Sequence, residues 1–278
     1  MSETKQETGS EQEYVLGTDA DELVRLGFQH QLWLAEAVRG WERAGFGPGD
    51  RLLDVGCGPG YVSFELARLV GGSGHVIAID MSQRFIDHLR EQMRVREVSN
   101  IETMIGDVGQ LDIAERSVDG AYARWVLCFV ENPESVVSAV ARALRPGKTF
   151  VVQDYFNYEA AVIAPKDEIF DHIFKVVAQS FRLRQGNPNV GSYVPAMMER
   201  CGLEVREINS LVRIARPGTA LWKWPETFFQ NYLPVLVEME LISQSERQTF
   251  ERLWDERSSD PGAFFCTPPM VEVIGVKR

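Results

Sequence analysis

The sequence is first informative through what it lacks. Its four cysteines, Cys57, Cys128, Cys201 and Cys266, are scattered through 278 residues and form no CxxC pair. Zinc sites and disulfide frameworks therefore find no support. No run of about 18 apolar residues occurs, which argues against a membrane-spanning helix. The opening segment, MSETKQETGSEQE, has no basic start and no apolar stretch. It is unlike a secretion leader and reads as a loose polar tail. No internal repeat is found. Positive charge is also short: 29 Lys and Arg stand against 40 Asp and Glu, a net charge of -11. Such a surface repels phosphate backbones, so nucleic acid is a poor candidate partner. The expectation is a cytoplasmic protein with no membrane partner.

What is present is a rhythm. Strands are predicted at 51–56, 75–81, 101–107, 118–126 and 149–155, and helices at 19–45, 60–70, 82–95 and 133–145. Asp19 is placed to cap the first helix and Gly45 to end it. Alternating strands and helices imply a doubly wound, mostly parallel sheet with helices on both faces. After 155 the rhythm changes. Residues 157–185 read as one amphipathic helix, 190–201 as another, and 220–256 as helical and rich in aromatics. Segments 203–214 and 270–277 read as strands that complete a seven-stranded sheet. The division expected is a flexible segment at 1–18, a cofactor-binding core at 19–155, and a helical lid with the remaining strands at 156–278.

Ligands of such sheets sit at the carboxyl ends of the strands. Three motifs fall there. "LLDVGCGPG" at 52–60 ends the first strand in Asp54, Gly56, Cys57, Gly58 and Gly60; Asp80 and Met81 end the second; Gly106, Asp107 and Val108 end the third. The glycine spacing is a partial dinucleotide pattern, but Tyr61 stands where the third dinucleotide glycine belongs. Asp54 would also repel a pyrophosphate and favour a cation. S-adenosylmethionine answers both points, with an ammonium, a sulfonium and a ribose but no phosphate. Asp80 is placed to accept hydrogen bonds from ribose hydroxyls. Asp107 and the Val108 N–H are placed to meet adenine.

"LLDVGCGPG", "VIAIDMS", "MIGDVGQLD" and "LRPGKTFVVQD", in this order, resemble the class I S-adenosylmethionine-dependent methyltransferases over roughly residues 50–155. The resemblance implies a Rossmann-like methyltransferase fold. It also implies that Asp54 helps anchor the amino-acid end of the cofactor, Asp80 the ribose and Asp107 the adenine. "YVLG…RLGFQ" and "GNPNVG" look like a bacterial branch acting on small molecules. The (N/D)PPY-type motif of nucleobase amino methylation is absent after the fourth strand, which reads "ARWVLCFVENPE".

The expected activity is methyl transfer to a small organic acceptor, with O-, N- or C-methylation left open. A non-catalytic S-adenosylmethionine-binding protein and a nicotinamide-dependent oxidoreductase are the alternatives. Arg124 is expected at the methionine end through its backbone carbonyl, and Tyr14 and Gln29 are candidate cofactor contacts from the N-terminal segment. Trp125, Tyr155, Phe156 and Phe174 are candidates for the acceptor pocket. Phe174 stands for a lid face that either closes that pocket or forms a homodimer interface. The scattered cysteines do not suit arsenic methylation. Asp154 is a candidate oxygen ligand, but no full metal set is identified. No residue is assigned as catalytic, because aligning an activated methyl donor and excluding water suffices for much of this chemistry.

Overall fold

The computed structural model describes residues 20–110 and 113–278. Tyr14, Asp19 and the 1–18 segment lie outside the described residues. In chain order the first half contains α1 (Ala20–Ala44), β1 (Arg51–Val55), α2 (Tyr61–Val70), β2 (His75–Asp80), α3 (Gln83–Val95), β3 (Ile101–Ile105), β4 (Val118–Arg124), α4 (Pro133–Ala143) and β5 (Leu144–Tyr155). The second half contains β6 (Val162–Ala164), α5 (Glu168–Leu183), α6 (Val194–Arg200), β7 (Leu203–Leu211), β8 (Ile214–Ala215), α7 (Ala220–Glu238), α8 (Gln244–Ser259), β9 (Phe264–Cys266) and β10 (Met270–Lys277).

Seven strands form one sheet in the order β3-β2-β1-β4-β5-β10-β7. The first five are parallel, and β10 runs antiparallel to both its neighbours. Both faces are covered, so the central strands are apolar without alternation. Successive side chains go to different cores. Leu53 and Val55 join the core under α4 and α5, while Leu52 joins the one under α1, α2 and α3. The chain reverses direction across the sheet between β1 and β4. That topological switch point opens a crevice at the strand ends.

Several boundaries differ from the sequence reading. The helix expected over 157–185 is a short 3-10 turn at Tyr158–Ala160, then β6, then α5. Asp167 caps α5, accepting from the Ile169 N–H at 3.1 Å. The strand expected over 203–214 is divided between β7 and β8. β8 belongs to a small antiparallel sheet of order β6-β9-β8, too short to leave a periodic signal. The helix expected over 220–256 is two helices. Ser243 and Glu246 form a reciprocal capping box that starts α8. That pair, three residues apart, is a helix-start signature already present in the sequence.

Candidate active site

The turn after β1 is built from three glycines with positive φ: Gly56 at 62°, Gly58 at 54° and Gly60 at 87°. They do different work. A side chain at Gly56 would strike Val126, and one at Gly60 would strike Leu89. At Gly58 a Cβ would meet nothing within 4 Å, so bare backbone borders open space there. That space is a cleft of about 930 Å³, within the size range of ligand sites. Gly56, Cys57 and Gly58 line it, as do Asp54, Asp80, Met81, Gly106, Asp107, Val108, Arg124, Trp125 and Gln29. Gly60 does not. Its positive φ and its close approach to Leu89 place it at the tight turn from which α2 starts.

The cleft is electrostatically uneven. Asp54 is 2 % exposed and accepts from the Ser63 hydroxyl at 2.6 Å. Burial pushes its carboxyl up to about 7, against the pull of Ser63 and Arg124, and the neighbouring Asp80 carboxylate adds to the rise. Asp80 accepts from the Gly58 N–H and the Ser82 N–H, both at 2.8 Å. Burial raises its pKa too, and those backbone N–H groups oppose the rise. Asp107 bends back on its own turn, accepting from the Gly109 N–H at 2.8 Å and the Gln110 amide at 3.0 Å. Two neighbouring carboxyls whose pKa values burial raises are a site that gains from a bound cation and disfavours an anion. The residues fit a sulfonium and ammonium ligand better than a pyrophosphate.

Arg124 differs from expectation, because its side chain is part of the wall. It donates to the Trp33 carbonyl at 3.2 Å and lies 3.3 Å from His30 Nδ1. A guanidinium has no acceptor, so Nδ1 accepts and the neutral ring carries its proton on Nε2. Burial and then Arg124 lower the His30 pKa to about 4, so the ring is neutral near pH 7. Its Nε2 is buried with no partner among the described residues. Tyr61, read only as an argument against a dinucleotide, also has a positive role. Its ring stacks on His30 and its hydroxyl donates to the Leu23 carbonyl at 2.9 Å, tying α2 to α1. Cys57 is buried in the loop, and burial pushes its thiol well up, away from the thiolate a nucleophile needs.

Beside the cleft lies a second, smaller cavity of about 50 Å³, walled mostly by aromatic rings. Trp125, Phe129 and Gln29 border both spaces and stand between them. Trp125 holds φ at 54°, a left-handed conformation costly for a bulky residue. Its ring stacks on Trp224 and its Nε1 donates to Met270 Sδ at 3.2 Å. Tyr155 and Phe174 line the small cavity. Phe156 lines neither space. Phe156 follows the last residue of β5, is partly buried against the same core as Tyr155, and its N–H donates to the Pro269 carbonyl. Phe174 is only 1 % exposed and packs on Phe229 and Phe265. It is core as much as wall, and no exposed lid face.

Sequence reasoning missed Arg25, Tyr158 and Phe181 in the small cavity. Arg25 is buried in a two-pronged pair with Glu22, at 2.6 Å for each contact. Helical spacing from Gln29 was a signal that could have found it. Asp154, the candidate oxygen ligand, is 1 % exposed and accepts from the Cys128 and Tyr155 N–H groups. The described residues hold no cluster of three or more His, Cys, Asp or Glu suited to a metal ion.

Residues 47–199 match the family model described as a methyltransferase domain. The chain belongs to the class I S-adenosylmethionine-dependent methyltransferases. Among its relatives is an arsenite methyltransferase of Halobacterium salinarum, 31% identical over 153 residues, which are 55% of this chain and 38% of that protein. Another is a 2-phytyl-1,4-naphtoquinone methyltransferase of Synechocystis sp., 32% identical over 137 residues, 49% of this chain and 56% of that one. The chain thus spans less than two thirds of the length of either relative. A putative methyltransferase structure from Bacillus halodurans superimposes with a TM-score of 0.60 at 17% identity, over 87% of this chain and 99% of that one. The [4+2]-cyclase SpnF superimposes with a TM-score of 0.56 at 16% identity, over 93% and 81%. Among the described residues no helix is long and apolar enough to cross a membrane.

Proposed function

We propose that the chain methylates a small organic acceptor at the expense of S-adenosylmethionine. The observation that carries this is that Trp125, Phe129 and Gln29 border both an acid-lined cleft at the switch point and an aromatic cavity beside it. Bound S-adenosylmethionine supplies a methyl group already activated on a sulfonium. The chain's own residues then have three tasks. Asp54, Asp80 and Asp107, with the Gly58 backbone, hold the cofactor along the strand ends. Trp125 and Phe129 exclude water from the junction, which favours displacement at a charged centre. The aromatic walls orient the acceptor. We divide the chain accordingly into a cofactor core over 19–155 and, over 156–278, a lid plus the strands that complete the sheet.

The acceptor side argues for a carbon framework. Arsenite, the acceptor named for one relative, calls for thiols, and the four cysteines stand in separate surroundings: the glycine loop, the turn after β4, the end of α6 and β9. The net charge of -11 speaks for a small molecule over nucleic acid, and free cysteines speak for a reducing, cytoplasmic setting. Calorimetry tests the cofactor assignment. S-adenosylmethionine and S-adenosylhomocysteine should bind at micromolar levels, and Asp80→Ala should weaken both by about 1–3 kcal/mol. Comparable affinity for a nicotinamide dinucleotide would sink the reading.

A further inference from the structure

Gln29 sits on α1 at the meeting point of cleft and cavity, and its orientation is fixed by its neighbours. Its Oε1 accepts from Arg25 Nη1 at 3.1 Å and from Trp224 Nε1 at 2.8 Å. Both neighbours are donors with no acceptor capacity. The amide oxygen must therefore face them, and the Nε2 group is turned the other way with no partner among the described residues. Gln29 borders both open spaces, so this NH₂ is a donor presented to whatever fills the junction.

The rest of the small cavity has the same polarity. No Asp, Glu or His is among its described lining residues. Its other polar groups are Arg25 and the hydroxyls of Tyr155 and Tyr158, and the Arg25 charge reaches both hydroxyls. The Trp125 and Trp224 N–H groups are already used on Met270 and Gln29. Aromatic walls alone would suit an organic cation, but no carboxylate is among the described lining residues to pair with one, and the nearby Glu22 is already committed to Arg25.

We infer that the acceptor is a flat, apolar molecule carrying a phenol or enol oxygen, and that the Gln29 amide, with the tyrosine hydroxyls, hydrogen-bonds that oxygen in its ionised form. The inference rests on the methyltransferase reading and narrows it toward oxygen-bearing aromatic or enolic acceptors and away from amines. With no carboxylate or imidazole in the cavity to take a proton, an acceptor that ionises easily is also the one this site can use.

The test uses the full chain with saturating S-adenosylhomocysteine. Tryptophan fluorescence follows binding of two probes, 4-nitrophenol at a pH where it is largely ionised, and 4-nitrobenzylamine. The phenolate should bind at least tenfold more tightly, about 1.4 kcal/mol. Gln29→Glu keeps an oxygen for Arg25 and Trp224 but removes the donor. It should weaken the phenolate tenfold or more, and far more than it weakens S-adenosylhomocysteine. If that variant does not fold, Gln29→Ala is read in the same way. Undiminished phenolate binding in the variant, or tighter binding of the ammonium probe, overturns the inference. So does a variant that loses S-adenosylhomocysteine instead, since Gln29 then serves the cofactor. Failure of the unmodified chain to bind S-adenosylhomocysteine at all defeats the methyltransferase reading first, and this inference with it.

Discussion

Asp54 carries most of the chemistry that distinguishes this site from a dinucleotide site, and it does so by being buried. A carboxyl raised to about 7 is half protonated in the empty protein near neutral pH. A bound cation favours the ionised form, so cofactor binding should release protons from Asp54 below about pH 7. Affinity should then fall as pH drops below that value, by at most tenfold per unit. Calorimetry in buffers of different ionisation heat reads the released proton directly, and Asp54→Asn should abolish the release. Proton uptake in place of release would contradict this role. Asp54, Asp80 and Asp107 were legible in the sequence because each ends an apolar strand, and strand ends are where ligands sit. His30 and Arg25 were not, since a polar residue on a helix shows its partner only once the helices are packed. Phe156 is among the lining residues of neither space, because the chain turns out of β5 just before it.

Among the elements, α1 and α7 decide how the site opens. α1 brings Leu26, Gln29 and His30 to the cleft, and α7 brings Trp224, Phe228 and Phe229 to the small cavity. A cavity near 50 Å³ is smaller than the roughly 150 Å³ pocket that holds a benzene ring. An aromatic acceptor must therefore displace a wall or extend into the cleft. α7 has two internal prolines, Pro225 and Pro234, each of which removes a helix hydrogen bond. Hydrogen exchange in α7 should slow when an acceptor probe and S-adenosylhomocysteine bind together. Two phenylalanines separate wall from core. Phe174→Ala should cost about 3–5 kcal/mol of stability, because the ring is fully enclosed. Phe228→Ala, at a half-buried ring, should cost much less and should enlarge the cavity. Denaturant titration distinguishes them, and equal losses would refute the assignment of Phe228 as wall. The core elements were readable because their period is strong over many residues. β6, β8 and β9 were not, because strands of two or three residues have no period to read and form only where they pair with one another and pack on the core.

Over the whole molecule, buried titratable groups pull stability in opposite directions across the acid range. The unfolded chain protonates His30 below about 6.5 while the folded chain keeps it neutral to about 4. In that window the unfolded state binds more protons, so this residue makes stability rise with pH, by about 3 kcal/mol over the whole interval. Asp54, raised to about 7, and Asp154, raised to about 6 by burial, act the other way. The folded chain keeps protons that the unfolded chain has lost, and stability falls as pH rises from about 4 toward those values. His30→Asn should therefore lose stability relative to the parent progressively between about pH 4 and 6.5, as read by chemical denaturation at several pH values. A constant difference would show that His30 ionises normally in the folded chain. The central claim is that the acid-lined cleft holds S-adenosylmethionine with its reactive end toward the aromatic cavity. A crystal structure with S-adenosylhomocysteine tests it most directly. The account predicts the ribose at Asp80, the adenine at Asp107 and the sulfur facing the junction of Trp125, Phe129 and Gln29; a ligand bound elsewhere, or one whose sulfur is walled off from the aromatic cavity, would contradict it.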